Sequence, residues 1–298
     1  MEFWPGEFPP PYEKLLEKTL NADGMVCMLS DRIDANLMKN SPKLKVISTM
    51  AVGYDNIDVA AANARGIKVG NTPGVLTETT ADLIFSLMLA AARRVAEGDR
   101  YIREGKWRTW GPMVLCGQDI HHATIGIIGM GRIGTEVARR ARGFNMKILY
   151  YSRTRKSPEE EKRLGAEYVD KMPDLLARSD FISLHVPLTP ETKGLIGERE
   201  FAMMKPTTVF VNASRGPVVD QHALYEALKN GRIFSAGIDV TVVEPIPIND
   251  PLLTLPNLVI TPHIGSASFA TRKKMAVMAA ENLLAGLRGA ALPYCVNP

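Results

Sequence analysis

Cysteine is scarce in this chain: Cys27, Cys116 and Cys295 are the only three in 298 residues. An odd, widely spaced set with no C-x-x-C builds neither a disulfide framework nor a zinc site, and it points to a reducing cytosol. An excess of one charge is also missing. Lys and Arg number 36 against 32 Asp and Glu, a net charge of +4 and too even a balance for a nucleic-acid partner. The basic clusters Arg93-Arg94 and Arg272-Lys273-Lys274 sort with helix faces. The longest greasy stretch, residues 83–92, is too short to cross a membrane and reads as a buried helix. The start, Met1-Glu2-Phe3-Trp4-Pro5, has no basic n-region and no apolar h-region, so no signal peptide is expected. Neither His263 nor His185 has a metal-like neighbour spacing, and no metal is expected. There is no repeat and no low-complexity tract.

What remains is an ordinary globular mixture, 46% apolar and 23% charged, long enough for about two domains. Strand-like and helix-like segments alternate. Apolar runs at residues 25–29, 44–49 and 67–69 are separated by helical patterns at 35–39 and 57–65, a small open α/β unit. Thr77-Glu78-Thr79-Thr80 opens a long helix over 81–97, apolar enough to lie between two domains. Residues 101–118 read as irregular, and residues 270–287 as a last helix that docks back on the first unit. The expected organisation is a substrate-binding domain at 1–75 and 268–298 and a dinucleotide-binding domain at 76–267. The expected fold is a Rossmann-type doubly wound parallel sheet plus a smaller flavodoxin-like α/β domain.

The dinucleotide reading rests on one stretch. The apolar run Thr124-Ile125-Gly126-Ile127-Ile128 leads into Gly129-Met130-Gly131-Arg132-Ile133-Gly134, then a helical segment, then a second apolar run ending in Ser152-Arg153-Thr154-Arg155. Strand, glycine turn, helix and strand is the order such a site needs. Gly129 allows the tight turn, Gly131 lets backbone approach a pyrophosphate, and Gly134 lets the helix pack close. Arg132 and Ile133 open the helix, whose free N–H groups face the phosphates. No acid ends the second strand to take a ribose 2′-OH; the first acid beyond it is Glu159. Arg153 grips a 2′-phosphate with a planar fork, and Ser152 and Thr154 donate hydroxyls to it. NADPH is therefore expected over NADH.

Four further strands are read at 181–185, 208–212, 233–240 and 258–261, six in all for this domain. Right-handed crossovers make them parallel, so their carboxyl ends share one edge. Gathered there are Val186 and Pro187, Ala213 to Gly216, Asp239, Glu244, and His263 to Gly265. Val186, Pro187, Ala213, Gly265 and Thr80 join the expected cofactor contacts, and Asp239 is placed to hold a nicotinamide carboxamide. Arg215, Glu244 and His263 suit reduction of a 2-keto acid. His263 donates a proton to the carbonyl oxygen, Glu244 fixes the ring, and Arg215 holds the substrate carboxylate. Val52 and Gly53 present backbone N–H groups to the same carboxylate. Each residue also has a plainer reading: Arg215 pairs with Asp220, Glu244 is an exposed turn residue, and His263 is structural. His121, His122, His185 and His222 take the structural reading.

Several segments together resemble the D-2-hydroxyacid dehydrogenase family. They are Asn71-Thr72-Pro73-Gly74-Val75-Leu76-Thr77, the stretch 126–134, Val211-Asn212-Ala213-Ser214-Arg215-Gly216, Gly237-Ile238-Asp239-Val240 and Thr261-Pro262-His263-Ile264-Gly265-Ser266-Ala267. Within the family, Trp107-Arg108-Thr109-Trp110, residues 149–154 and residues 282–289 resemble the glyoxylate/hydroxypyruvate reductases. The resemblance covers nearly the whole chain. It implies reduction of glyoxylate to glycolate and of hydroxypyruvate to D-glycerate, NADPH preference, a homodimer, and the Arg215, Glu244 and His263 set. It adds Ser266 to the expected substrate contacts. It also implies that Trp110 lines the substrate pocket of a partner subunit, the alternative being interface packing alone.

Family members usually begin with an extra strand and helix before the segment matching Met1-Glu2-Phe3-Trp4. Without that central strand, backbone groups at 25–29 and 44–49 are expected to lack partners, which points to a start further upstream. Two rivals stand beside the reductase. One is another enzyme of the same set, a phosphoglycerate or formate dehydrogenase, against which Ser152 and Arg153 and the chain length argue. The other is a dinucleotide-sensing binding protein or corepressor on the same fold.

Overall fold

The computed structural model describes all residues, Met1–Pro298. The chain begins α1 (Tyr12–Thr19), β1 (Gly24–Cys27), α2 (Ala35–Asn40), β2 (Val46–Thr49), α3 (Val59–Ala64) and β3 (Lys68–Gly70). It continues α4 (Thr77–Ala92), α5 (Val95–Arg103), β4 (Thr124–Ile128), α6 (Arg132–Gly143), β5 (Lys147–Tyr151), α7 (Pro158–Leu164) and β6 (Ala166–Tyr168). Then follow α8 (Met172–Arg178), β7 (Phe181–Leu184), α9 (Glu198–Met203), β8 (Val209–Asn212), α10 (Gln221–Lys229), β9 (Ser235–Ile238), β10 (Leu258–Ile260) and α11 (Phe269–Leu287). Two compact units result, Met1–Leu76 with Ser266–Pro298, and Thr77–Gly265. No helix is long and apolar enough to cross a membrane.

The larger unit holds a sheet in the order β10-β9-β8-β7-β4-β5-β6, with every neighbouring pair parallel. Strand order reverses between β4 and β7, so the sheet is doubly wound in the Rossmann manner. Both faces are covered. Ile125 and Ile127 of β4 join a core with α4 and α6, whereas Ile128 joins the opposite core with α8, α9 and α10. Burial on both faces explains why these strands read as continuous apolar runs rather than alternating ones.

The sheet has seven strands where six were expected. The missed one, β6, is three residues long, has an exposed Glu167 at its centre and carries no apolar run. The expected helix over 81–97 also divides. Helix α4 stops at Ala92, and α5 starts at Val95 after Arg94, whose φ of +53° is left-handed. Such a backbone breaks an α-helix. The guanidinium of Arg94 then grips Glu97 in the first turn of α5 through Nε at 2.8 Å and Nη2 at 2.7 Å.

The smaller unit has a parallel sheet in the order β1-β2-β3. Helices α1, α2 and α3 feed its buried core. Helix α11 packs on β1, β2 and β3, and Gly286 permits the approach, since a Cβ there would sit 2.6 Å from Cβ of Val46. The expectation of unpartnered backbone between β1 and β2 is corrected. They pair directly, Gly24 opposite Val46 and Cys27 opposite Thr49. The C-terminal tail adds to the other edge, with an antiparallel bridge of Cys295 to Gly70 and a bond from Val296 N to Val69 O of 2.8 Å.

Candidate active site

In the larger unit the carboxyl ends of β4, β5, β7, β8, β9 and β10 share one edge, because all seven strands run the same way. The glycine turn lies after β4. Gly129 has a φ of +98°, and a Cβ on it would lie 2.8 Å from the His185 backbone. Gly134 sits where a Cβ would come within 2.2 Å of the Gly129 carbonyl oxygen, so glycine is required for α6 to meet the turn. Around Gly131 a Cβ would meet nothing, leaving the N-terminus of α6 open for a phosphate. Arg132 at that end is exposed, and Ile133 is half-buried against the core.

The basic loop after β5 separates its two arginines. Arg155 is engaged: it grips Glu161 through Nε at 2.8 Å and Nη2 at 2.9 Å and lies over the Tyr168 ring. Arg155 and the Tyr150 hydroxyl hold the Glu161 carboxyl down at about 2. Arg153 and Thr154 are exposed and Ser152 is half-buried. Glu191, beyond β7, is held below the usual carboxylate range first by the Thr189 hydroxyl, then by its own N–H, with the Arg153 charge adding to the effect. Val186 touches the glycine turn, since a Cβ on Gly129 would meet it at 3.1 Å.

At the end of β9 sits Asp239, 1% exposed. Its Oδ1 accepts from the Thr261 hydroxyl at 2.6 Å and from Ile264 N at 2.8 Å, and its Oδ2 from Gly265 N at 2.8 Å. Its carbonyl takes the His263 N–H at 2.9 Å. Burial raises its carboxyl, against the pull of these donors. Three donors leave roughly one of about four lone-pair sites for a ligand. The same bonds hold His263 at a φ of +53°, a conformation that persists only where neighbours over-determine it. Thr80 of α4 lies beside this loop, with its Oγ1 3.6 Å from where a Cβ on Gly265 would be.

The imidazole of His263 meets Glu244, Nδ1 to Oε2 at 2.7 Å, while Glu244 Oε1 accepts from Thr241 N at 3.1 Å. Burial works to raise the Glu244 carboxyl. The His263 ring, the Thr241 N–H and Arg215 outweigh it and hold the group below its ordinary value. A carboxylate accepts, so Nδ1 carries the hydrogen and Nε2 faces away. Arg215 donates from Nη1 to Ser214 O at 2.8 Å. Asp220, five residues on, caps α10, accepting from His222 N and Ala223 N. His185, half-buried beside the turn, bonds Ser183 Oγ at 2.9 Å, and desolvation pushes its ring down to about 3.

Val52, Gly53 and Ser266 belong to the smaller unit, and Trp110 lies between α5 and β4, 78% exposed. The pattern of the D-isomer specific 2-hydroxyacid dehydrogenase NAD-binding domain matches residues 85–265. A glyoxylate reductase of Korarchaeum cryptofilum is 55% identical over 298 residues, covering 100% of this chain and 89% of that protein. This chain belongs to the D-2-hydroxyacid dehydrogenase family, in its glyoxylate reductase branch. Among solved structures, the TT0316 protein of Thermus thermophilus aligns with a TM-score of 0.91 at 47% identity, over 97% of this chain and 90% of that one. An NADPH-dependent glyoxylate/hydroxypyruvate reductase of Sinorhizobium meliloti, solved with NADP and malonate, aligns with a TM-score of 0.85 at 33% identity, over 94% and 85%.

Around this edge, residues to which sequence reasoning assigned no individual role hold the turns in place. Asn212, 2% exposed, takes Ser214 N at 3.0 Å and Ser214 Oγ at 2.8 Å, and its amide donates to Arg215 O at 3.1 Å. Gln221 accepts from Val242 N at 2.9 Å beside the Glu244 loop. Gly216 lets that loop close on the Arg215 turn, for a Cβ there would lie 1.9 Å from Thr241 O. Short polar residues at strand ends are a signal for such turn-holding roles.

Proposed function

We propose that this enzyme reduces glyoxylate, and hydroxypyruvate, to glycolate and D-glycerate with NADPH. The observation that carries the reading is the 2.7 Å bond of His263 Nδ1 to Glu244 Oε2 at the sheet edge that also bears Arg215 and the glycine turn. When bound, the dihydronicotinamide supplies a hydride to the carbonyl carbon. The residues at hand fit that cofactor: an open helix N-terminus at Gly131 for the pyrophosphate, and Arg153 with Ser152 and Thr154 for a 2′-phosphate. Asp239 has one acceptor site left for the carboxamide.

His263 delivers a proton from Nε2 to the carbonyl oxygen, while Glu244 holds the ring by Nδ1. Arg215 binds the carboxylate and polarises the carbonyl. As further substrate contacts we propose the backbone N–H groups of Val52 and Gly53, and Ser266. The NADPH reading is supported by the absence of an acid after β5 and by the cofactor named for the Sinorhizobium meliloti relative. We read the active form as a homodimer in the cytosol. The stretch 95–113 carries the exposed apolar side chains Val95, Ile102, Trp107, Trp110 and Met113, which a second copy of the chain would cover.

The test is loss of the near-ultraviolet absorbance of NADPH on addition of glyoxylate or hydroxypyruvate. His263→Ala is expected to lower turnover by roughly 10²–10⁴-fold while still binding NADPH. Near-normal turnover in that variant removes His263 from the role. No turnover by the unaltered protein across a panel of 2-keto acids favours a dinucleotide sensor.

A further inference from the structure

The smaller unit contains a hydrogen-bonded chain of three segments that ends on the loop 51–53. The side-chain amide of Asn71 donates to Val52 O at 2.8 Å, and the next residue, Thr72, donates its N–H to Ala51 O at 2.8 Å. Two successive carbonyls of the loop are thus pulled toward residues 71–72. Both peptides are trans, so each N–H points opposite to the carbonyl of its own peptide group. The N–H groups of Val52 and Gly53 therefore both face away from Asn71, side by side.

Asn71 is itself immobilised. Its N–H donates to Tyr294 O at 3.1 Å, and its carbonyl accepts from Asn282 Nδ2 at 2.9 Å. Asn282 is fully buried on α11, and its Oδ1 takes Tyr294 N at 3.0 Å. Gly70 makes this possible, because a Cβ there would lie 2.7 Å from the Asn282 amide. The Asn71 N–H, carbonyl and side-chain N–H and both ends of the Asn282 amide are matched, as a rigid buried polar network requires.

We propose that Asn71 is a positioning residue, which aims the Val52 and Gly53 N–H groups at the substrate carboxylate and so sets affinity for 2-keto acids. The inference rests on the reductase reading above. A paired N–H cradle binds a carboxylate only while both donors converge, and a freed Val52–Gly53 peptide is able to rotate. Asn71 touches neither the substrate nor the reacting atoms, so the rate at saturation is left alone.

Steady-state kinetics of Asn71→Ala test this. KM for glyoxylate is expected to rise about ten-fold, the scale of one lost hydrogen bond to a charged group, with kcat and the Kd for NADPH unchanged. Glycolaldehyde, which lacks the carboxylate, is expected to show no such rise. An unchanged KM for glyoxylate in a folded variant overturns the proposal, as does an equal rise for both substrates. Should the variant not fold, amide chemical shifts of the unaltered protein decide. Titration with oxalate is expected to move the Val52 and Gly53 signals, and their staying still at saturation overturns the proposal. Failure of the reductase reading is seen separately, as absent glyoxylate turnover in the unaltered protein.

Discussion

Two arginines two positions apart sit in different surroundings. Arg155 is closed over Glu161 and Tyr168, whereas Arg153 stands in solvent after β5. Arg153→Asp is expected to shift the kcat/KM ratio from NADPH toward NADH by at least tenfold, since a carboxylate repels a 2′-phosphate and accepts from a 2′-OH. Arg155→Ala is expected to lower the thermal midpoint and leave that ratio where it was. Kinetics with both cofactors and a melting curve separate the two, and an unchanged ratio in the Arg153 variant means the phosphate is held elsewhere. The residue types at 152–155 were legible as a basic loop, but the division of labour was not, because Glu161 and Tyr168 reach Arg155 only through folding.

At the scale of elements, the candidate site is a set of turns at strand ends, pressed together by close backbone approaches. Gly216 and Gly131 make the contrast. A Cβ at Gly216 would sit 1.9 Å from Thr241 O, and one at Gly131 would meet nothing. Gly216→Ala is expected to cost roughly 1–3 kcal/mol of stability, as overpacking does, and to lower kcat by displacing the Arg215 and Glu244 turns together. Gly131→Ala is expected to leave stability within about 0.5 kcal/mol while weakening NADPH binding. Urea unfolding and a fluorescence titration read the two. Six of the seven strands of the large sheet, and their shared direction, were legible from apolar runs and crossovers. The short β6 and the break at Arg94 were not, since a three-residue strand has no period and a left-handed residue carries no marker unless it is glycine.

On the scale of the whole molecule, the smaller unit is assembled from both ends of the chain. Asn297, 8% exposed, binds Val69 N by Oδ1 at 2.6 Å, and its amide donates to Asn63 Oδ1 at 2.7 Å and Ile67 O at 2.9 Å. Asn297→Ala is expected to cost roughly 1–3 kcal/mol, the penalty for leaving a buried backbone group unmatched. Hydrogen exchange is expected to quicken at Val69 and through β1–β3 while β4–β10 keep their protection. Equal loss in both units would mean that they unfold as one.

The sequence by itself determined the class of fold, the glycine turn and the reactive residue types, because strand period, crossover handedness and glycine chemistry are local or nearly local rules. It also placed Arg215, Glu244 and His263 on one edge, since parallel strands deliver their ends together. Only the tertiary structure decided which oxygen of Glu244 meets which nitrogen of His263, that Asp239 anchors the His263 loop, and that Asn282 reaches Asn71. Those contacts join residues 19, 25 and 211 positions apart. Their partners are chosen by packing, which no local pattern encodes.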